Sequence, residues 1–148
     1  MKLDPDLREF IELLNAREVH YLIVGAIALS FHGRPRYTGD IDFFVEPSAE
    51  NAALLTRILD DFGFANIGVN QEDFTAADQV VQLGVEPHRM DLMTSISGVA
   101  FSEAEKSDRE FYRQLSGQER LEILLQLSKH EPERRLERVY RVIKLPRR

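Results

Sequence analysis

Asp40 and Asp42 stand one residue apart at the head of the apolar run Asp40-Ile41-Asp42-Phe43-Phe44-Val45. Side chains of a strand alternate between faces, so a strand here sends both carboxylates to one side and Ile41 and Phe43 to the other. Two like charges this close resist joint ionisation unless a cation lies between them. The pair therefore points to a divalent metal rather than to stability. Fifteen residues upstream, Gly25 closes a second apolar run, Tyr21-Leu22-Ile23-Val24. A glycine turn that leads into a helix can hold phosphate on backbone N–H groups, and the two features together suit magnesium carrying a nucleotide. The site then needs a third acid on a neighbouring strand. Asp91, in Arg89-Met90-Asp91-Leu92-Met93, is the one good candidate, with Met90 and Leu92 facing the other way. Glu72, Asp73 and Asp78 lie in a polar stretch without alternation and read as loop surface.

The elements that must position these acids can be read along the chain. Asp4-Pro5 has the form of a helix start, cap then proline, and Leu7, Phe10, Ile11 and Leu14 follow at helical spacing. Val19 to Gly25 reads as the first strand, 26–31 as a short buried helix, and His32-Gly33-Arg34-Pro35-Arg36-Tyr37-Thr38-Gly39 as a loop delivering the chain to Asp40. Pro47 ends the second strand, Ser48 caps a helix with Ala52, Leu55, Ile58, Leu59 and Phe62 on its buried stripe, and Gly63 stops it. Gln79 to Val85 and Arg89 to Met93 read as two further strands. The fold class expected is α/β (α+β), a small mixed β-sheet packed with helices. The last third reads as helical. Ser102-Glu103-Ala104-Glu105 and Ser116-Gly117-Gln118-Glu119 match the capping box, and Leu136, Val139, Tyr140 and Ile143 repeat at helical spacing. A composition shift near residue 101 separates a core, 1–101, from a C-terminal helical segment, 102–148.

Composition narrows the class. The chain has 148 residues, 43% hydrophobic and 30% charged, the make-up of one globular domain. It contains no cysteine, which excludes disulfides and thiolate metal sites. No apolar run approaches the length of a membrane span and Met1 to Asp6 lacks signal-peptide character, so a cytoplasmic protein without membrane partners is expected. The net charge of −6 argues against a general nucleic-acid coat. Residues 116–148 nevertheless hold nine Lys/Arg against five Asp/Glu, a basic tail read here as solvated helix faces. His20, His88 and His130 have no partner at zinc-ligand spacing, His32 beside Gly33 suits a turn, and Ser30 and Thr38 lack the setting of a nucleophile elbow. Zinc hydrolase and serine chemistry are thereby set aside.

Tyr21 to Ala28, followed by His32 to Asp42, resembles the signature of the DNA polymerase β-like nucleotidyltransferase superfamily: an apolar residue, Gly, Gly or Ser, then a spacer to an Asp-apolar-Asp/Glu pair. More narrowly, the chain is similar to small bacterial and archaeal nucleotidyltransferase-like proteins, related to minimal nucleotidyltransferases and to toxins and antitoxins of toxin–antitoxin and abortive-infection systems. Val45-Glu46-Pro47-Ser48, Asn51, Phe62-Gly63-Phe64, Val80 to Gly84 and Asp91 to Thr94 extend the likeness to about residue 101. The resemblance implies a nucleotidyltransferase fold and transfer of a nucleoside monophosphate from an NTP such as ATP to a hydroxyl of a macromolecular acceptor, tRNA or protein. It also implies a toxin or antitoxin partner as a setting. Alternatives are a weakly active or inactive partner-binding protein of the same fold, and an antibiotic nucleotidyltransferase. By the same likeness Asp40, Asp42 and Asp91 would hold one or two Mg2+, with Asp91 as third ligand or base. Gly25, Ala26, Arg36 and Thr38 would bind the nucleotide, Arg34 being a lesser choice than Arg36. The chain departs from the pattern at Ala26, where the family usually has glycine or serine, and in the tail, which lacks a Gly-Arg-x-x-Asp-like segment.

Overall fold

Residues 5–26, 28, 40–85, 88–119 and 140–144 are described by the computed structural model. Pro5 opens helix α1, Pro5–Ala16, whose 3.6-residue period places Leu7, Phe10 and Leu14 on one buried stripe. The expected cap, Asp4, lies outside the described residues. Strand β1 is Tyr21–Val24 and β2 is Asp40–Val45. Ser48 caps helix α2, Ala49–Leu59, its hydroxyl accepting the Asn51 N–H, and a π-helical turn at Asp60–Phe64 ends it, with Gly63 at φ 98°. The polar stretch read as loop contains one helical turn, α3, Glu72–Thr75, started by the Asn70 side chain accepting the Glu72 N–H at 2.8 Å and pinned by the buried Phe74. Strands β3, Gln79–Leu83, and β4, Arg89–Met93, follow as expected, and then helix α4, Phe101–Gln114.

The sheet runs β1-β2-β4-β3 and ends in a fifth strand, β5, Tyr140–Lys144. β2 and β4 are parallel and every other pair is antiparallel, so the sheet is mixed and the protein is of the α/β class. β5 corrects the helical reading of Tyr140 and Ile143. Spacing of three residues suits a helix, but Tyr-Arg-Val-Ile-Lys is also rich in strand-favouring residues. Pairing with β3 satisfies a row of backbone groups that an edge would leave open. Leu136 and Val139 lie outside the described residues. Through β5 the C-terminal segment shares its sheet with the first hundred residues.

One face of the sheet carries the core. Ile41, Phe43 and Val45 of β2, Val81 and Leu83 of β3 and Met90 and Leu92 of β4 pack against Leu7, Phe10 and Leu14 of α1 and Leu55, Ile58 and Leu59 of α2. Phe10 meets Phe43 edge-on with centroids 5.7 Å apart and Phe62 at 5.1 Å. On the other face α4 packs Phe101 on Phe44, centroids 5.1 Å apart. α4 starts at Phe101 with Ala100 as its cap, whose N–H is accepted by Glu103 at 3.3 Å, so Ser102 lies inside the helix rather than capping it. The second box forms as expected, Ser116 and Glu119 exchanging hydrogen bonds of 2.7 and 3.2 Å.

Asn51 ties β1 to β2. Its side-chain amide donates to the His20 and Glu46 carbonyls, each at 3.0 Å, and its carbonyl accepts the His20 N–H at 2.9 Å. The residue is buried, so replacing it leaves the His20 N–H without its partner and takes one of two hydrogen bonds from each of the His20 and Glu46 carbonyls, which also accept the Glu46 and Ser48 N–H groups. Asn51→Ala is expected to lower the unfolding free energy by about 2 kcal/mol in urea titration, beyond a typical exposed-residue change.

Candidate active site

The parallel pairing of β2 with β4 is what assembles the acids. Its register sets Asp42 beside Asp91 and Asp40 beside Arg89. Strand alternation then puts all four side chains on the face opposite the core, while Ile41, Phe43, Met90 and Leu92 anchor the two strands from behind. The three acids expected from the sequence thus share one face. Burial is graded: Asp91 is 7% exposed, and its neighbours at the open end are half-buried.

Arg89, to which sequence reading assigned no role, lies among the acids. Its Nε donates to Asp91 Oδ1 at 2.9 Å, and its Nη2 donates to Asp40 Oδ2 at 2.6 Å and to Asp91 Oδ2 at 3.2 Å. From β3, Gln82 donates Nε2–H to Asp91 Oδ2 at 3.1 Å, its register partner being Asp91. Asp91 therefore accepts three side-chain hydrogen bonds and is fixed in place by two strands. The signal for Arg89 was present in the sequence, since the period of two that pairs Asp40 with Asp42 also pairs Arg89 with Asp91. Gln82 carried no such signal, because its position follows from the antiparallel register alone.

Asp42 has the opposite environment. Burial first, and then the neighbouring Asp40 and Asp91, push its carboxyl up to about 6 against the opposing pull of Arg89. Gly25 lies directly over it. A Cβ built on Gly25 would collide with Asp42 Oδ2 and lie 3.0 Å from Cγ, and Gly25 also holds a φ of +71°. Both conditions demand glycine, and they bring the backbone at the end of β1 onto the carboxylate. Helical backbone follows at Ala26. Arg36 and Thr38 fall outside the described residues, as does Arg34.

The donor set suits a hard divalent cation in chemistry: carboxylate oxygens on one face, three acids against one guanidinium among the described residues, and one acid whose ionisation is resisted by burial and by its like-charged neighbours. In position the oxygens do not close on one point. Among the described residues no group of three or more acidic or imidazole side chains is arranged to surround a metal. Arg89 draws on Asp40 and Asp91, the same oxygens a cation would take.

Because folding raises the Asp42 pKa, the fold favours its protonated form. That contribution is present below the ordinary value of 3.8 and is lost as pH rises through about 6. Asp42→Asn, in metal-free buffer, is expected to raise the unfolding free energy near neutral pH by about 1 kcal/mol, after allowance for solvent screening of a half-exposed group, and to change little in acid. Chemical denaturation at the two pH values checks this. Gly25→Ala is expected to destabilise the protein by about 1–3 kcal/mol through backbone strain and the clash with Asp42, as measured by thermal unfolding.

No family model, curated protein or solved structure matches the chain.

Proposed function

We propose that the chain is a magnesium-dependent nucleotidyltransferase that moves a nucleoside monophosphate from an NTP to a hydroxyl of a macromolecular acceptor, tRNA or protein. The setting is cytoplasmic, within a toxin–antitoxin pair. One observation carries this reading: Asp40, Asp42 and Asp91 share a face across β2 and β4, and a left-handed glycine lies on Asp42. A structural ion pair with Arg89 needs neither a third acid nor a glycine laid against it. A site for a cation and phosphate uses both.

Asp40, Asp42 and Asp91 would hold the divalent ion, which supplies charge neutralisation at the phosphate oxygens and makes the attacking hydroxyl more acidic. The chain's own groups do the rest. The backbone at Gly25, where a side chain would collide with Asp42, would let the triphosphate come close to the main chain. The acceptor oxygen forms a bond to the α-phosphorus as the bond to the bridging oxygen breaks, and pyrophosphate leaves. The hydroxyl proton passes to a carboxylate. Asp91, committed to Arg89 and Gln82, is better placed to position than to accept it. No transmembrane-length apolar helix occurs among the described residues.

A second reading, a partner-binding protein of the same fold with little or no activity, is favoured by Arg89, which satisfies Asp40 and Asp91 internally. Incubation with labelled ATP, CTP, GTP and UTP, magnesium, and tRNA or protein acceptors separates the two. Label transfer is expected, falling at least roughly a hundredfold in Asp40→Asn and Asp42→Asn. No transfer to any acceptor by the unaltered chain supports the second reading, and transfer that survives both substitutions places the chemistry elsewhere.

A further inference from the structure

Arg89 is the one feature of the site that the transfer reading does not itself require, and its geometry is specific. A single guanidinium spans two strands, donating from Nε and Nη2 to Asp91 and from Nη2 to Asp40. A planar fork engages carboxylates in this directional way, which a lysine ammonium does not reproduce. The contacts lie on the oxygens that a divalent ion would need, and the acids are correspondingly held off a common point.

The cation is also partly exposed. The Arg89 side chain is 23% exposed, at the first residue of β4, and it is long and flexible. It can turn outward without moving β4, because the strand is anchored from the other face by Met90 and Leu92. Asp91 keeps its bond from Gln82 in either case. By contrast, a guanidinium that only tied β2 to β4 would add little, since those strands are already joined through a five-residue register.

We propose that Arg89 is the site's resident counter-cation: it holds Asp40 and Asp91 in the metal-free protein and must withdraw from them for a divalent ion to bind. The inference rests on the transfer reading for the identity of the ion, and it makes Arg89 a positioning residue that sets how readily the site loads. Two cations competing for the same oxygens are linked, each lowering the other's hold on them by the same factor, so removing one strengthens the other.

The test is metal binding rather than turnover. Mn2+ binding to the full chain is measured by calorimetry and by electron paramagnetic resonance for the unaltered protein, Arg89→Met and Arg89→Lys. Arg89→Met is expected to bind Mn2+ roughly tenfold more tightly, with Arg89→Lys between the two, and to unfold at lower temperature without metal but not with it. Equal or weaker binding by Arg89→Met overturns the inference and leaves the transfer reading standing. Binding by neither protein overturns both. Metal binding as expected, without label transfer to any acceptor, sustains the inference and removes the transfer reading. Should Arg89→Met fail to fold, nuclear magnetic resonance of the Arg89 Nε–H in the unaltered protein decides. The signal is expected to be protected from exchange without metal and to lose that protection with saturating Mg2+, and unchanged protection overturns the inference.

Discussion

Like charge crowded onto one face of a small sheet is the constraint around which this molecule is arranged. Among the described residues, three carboxylates from two adjacent strands are offset by one guanidinium. Such crowding costs stability in a half-buried place, and the Asp42 carboxyl records that cost in its reluctance to ionise. Folding tolerates it because the opposite face is so well packed. Phe10, Phe43, Phe62 and Phe64, with the aliphatic side chains of α1 and α2, hold β2 and β4 in a register that places the acids together whatever they prefer.

The two faces of the sheet therefore divide the work. Apolar residues at alternate positions of β2 and β4 make the structure rigid, and the residues between them are left for chemistry. The glycine at the end of β1 joins the two roles. A side chain there would be strained by the backbone and blocked by Asp42, so its absence opens the backbone toward the carboxylate. Rigid elements behind and an accessible turn in front are what a phosphate and cation site requires.

Arg89 changes how the acids are understood. Considered alone they form a vacant anionic cluster, whereas with Arg89 they form a charge-assisted hydrogen-bond network that is internally satisfied over two of its three members. Gln82 extends the network onto β3, and the antiparallel register continues the same row to Arg141 on β5. The tail thus reaches the polar face as part of the sheet, a relation that no local property of residues 116–148 suggests.

The amino-acid sequence by itself determined what depends on local periodicity. Alternation placed Asp40 and Asp42 on one face and Asp91 among apolar neighbours, and helical spacing with Pro5 and Ser48 marked α1 and α2. Glycine at position 25 was legible as a turn. What only the tertiary structure decided depends on pairing between distant segments: that β4 lies parallel to β2 with Asp91 level with Asp42, that Arg89 reaches Asp40, and that Gln82 backs Asp91. Tyr140 to Lys144 shows the same limit from the other side. Its spacing fits a helix as well as a strand, and the unpaired backbone of β3 resolved the choice, because hydrogen bonds between strands are made with partners that no local window contains.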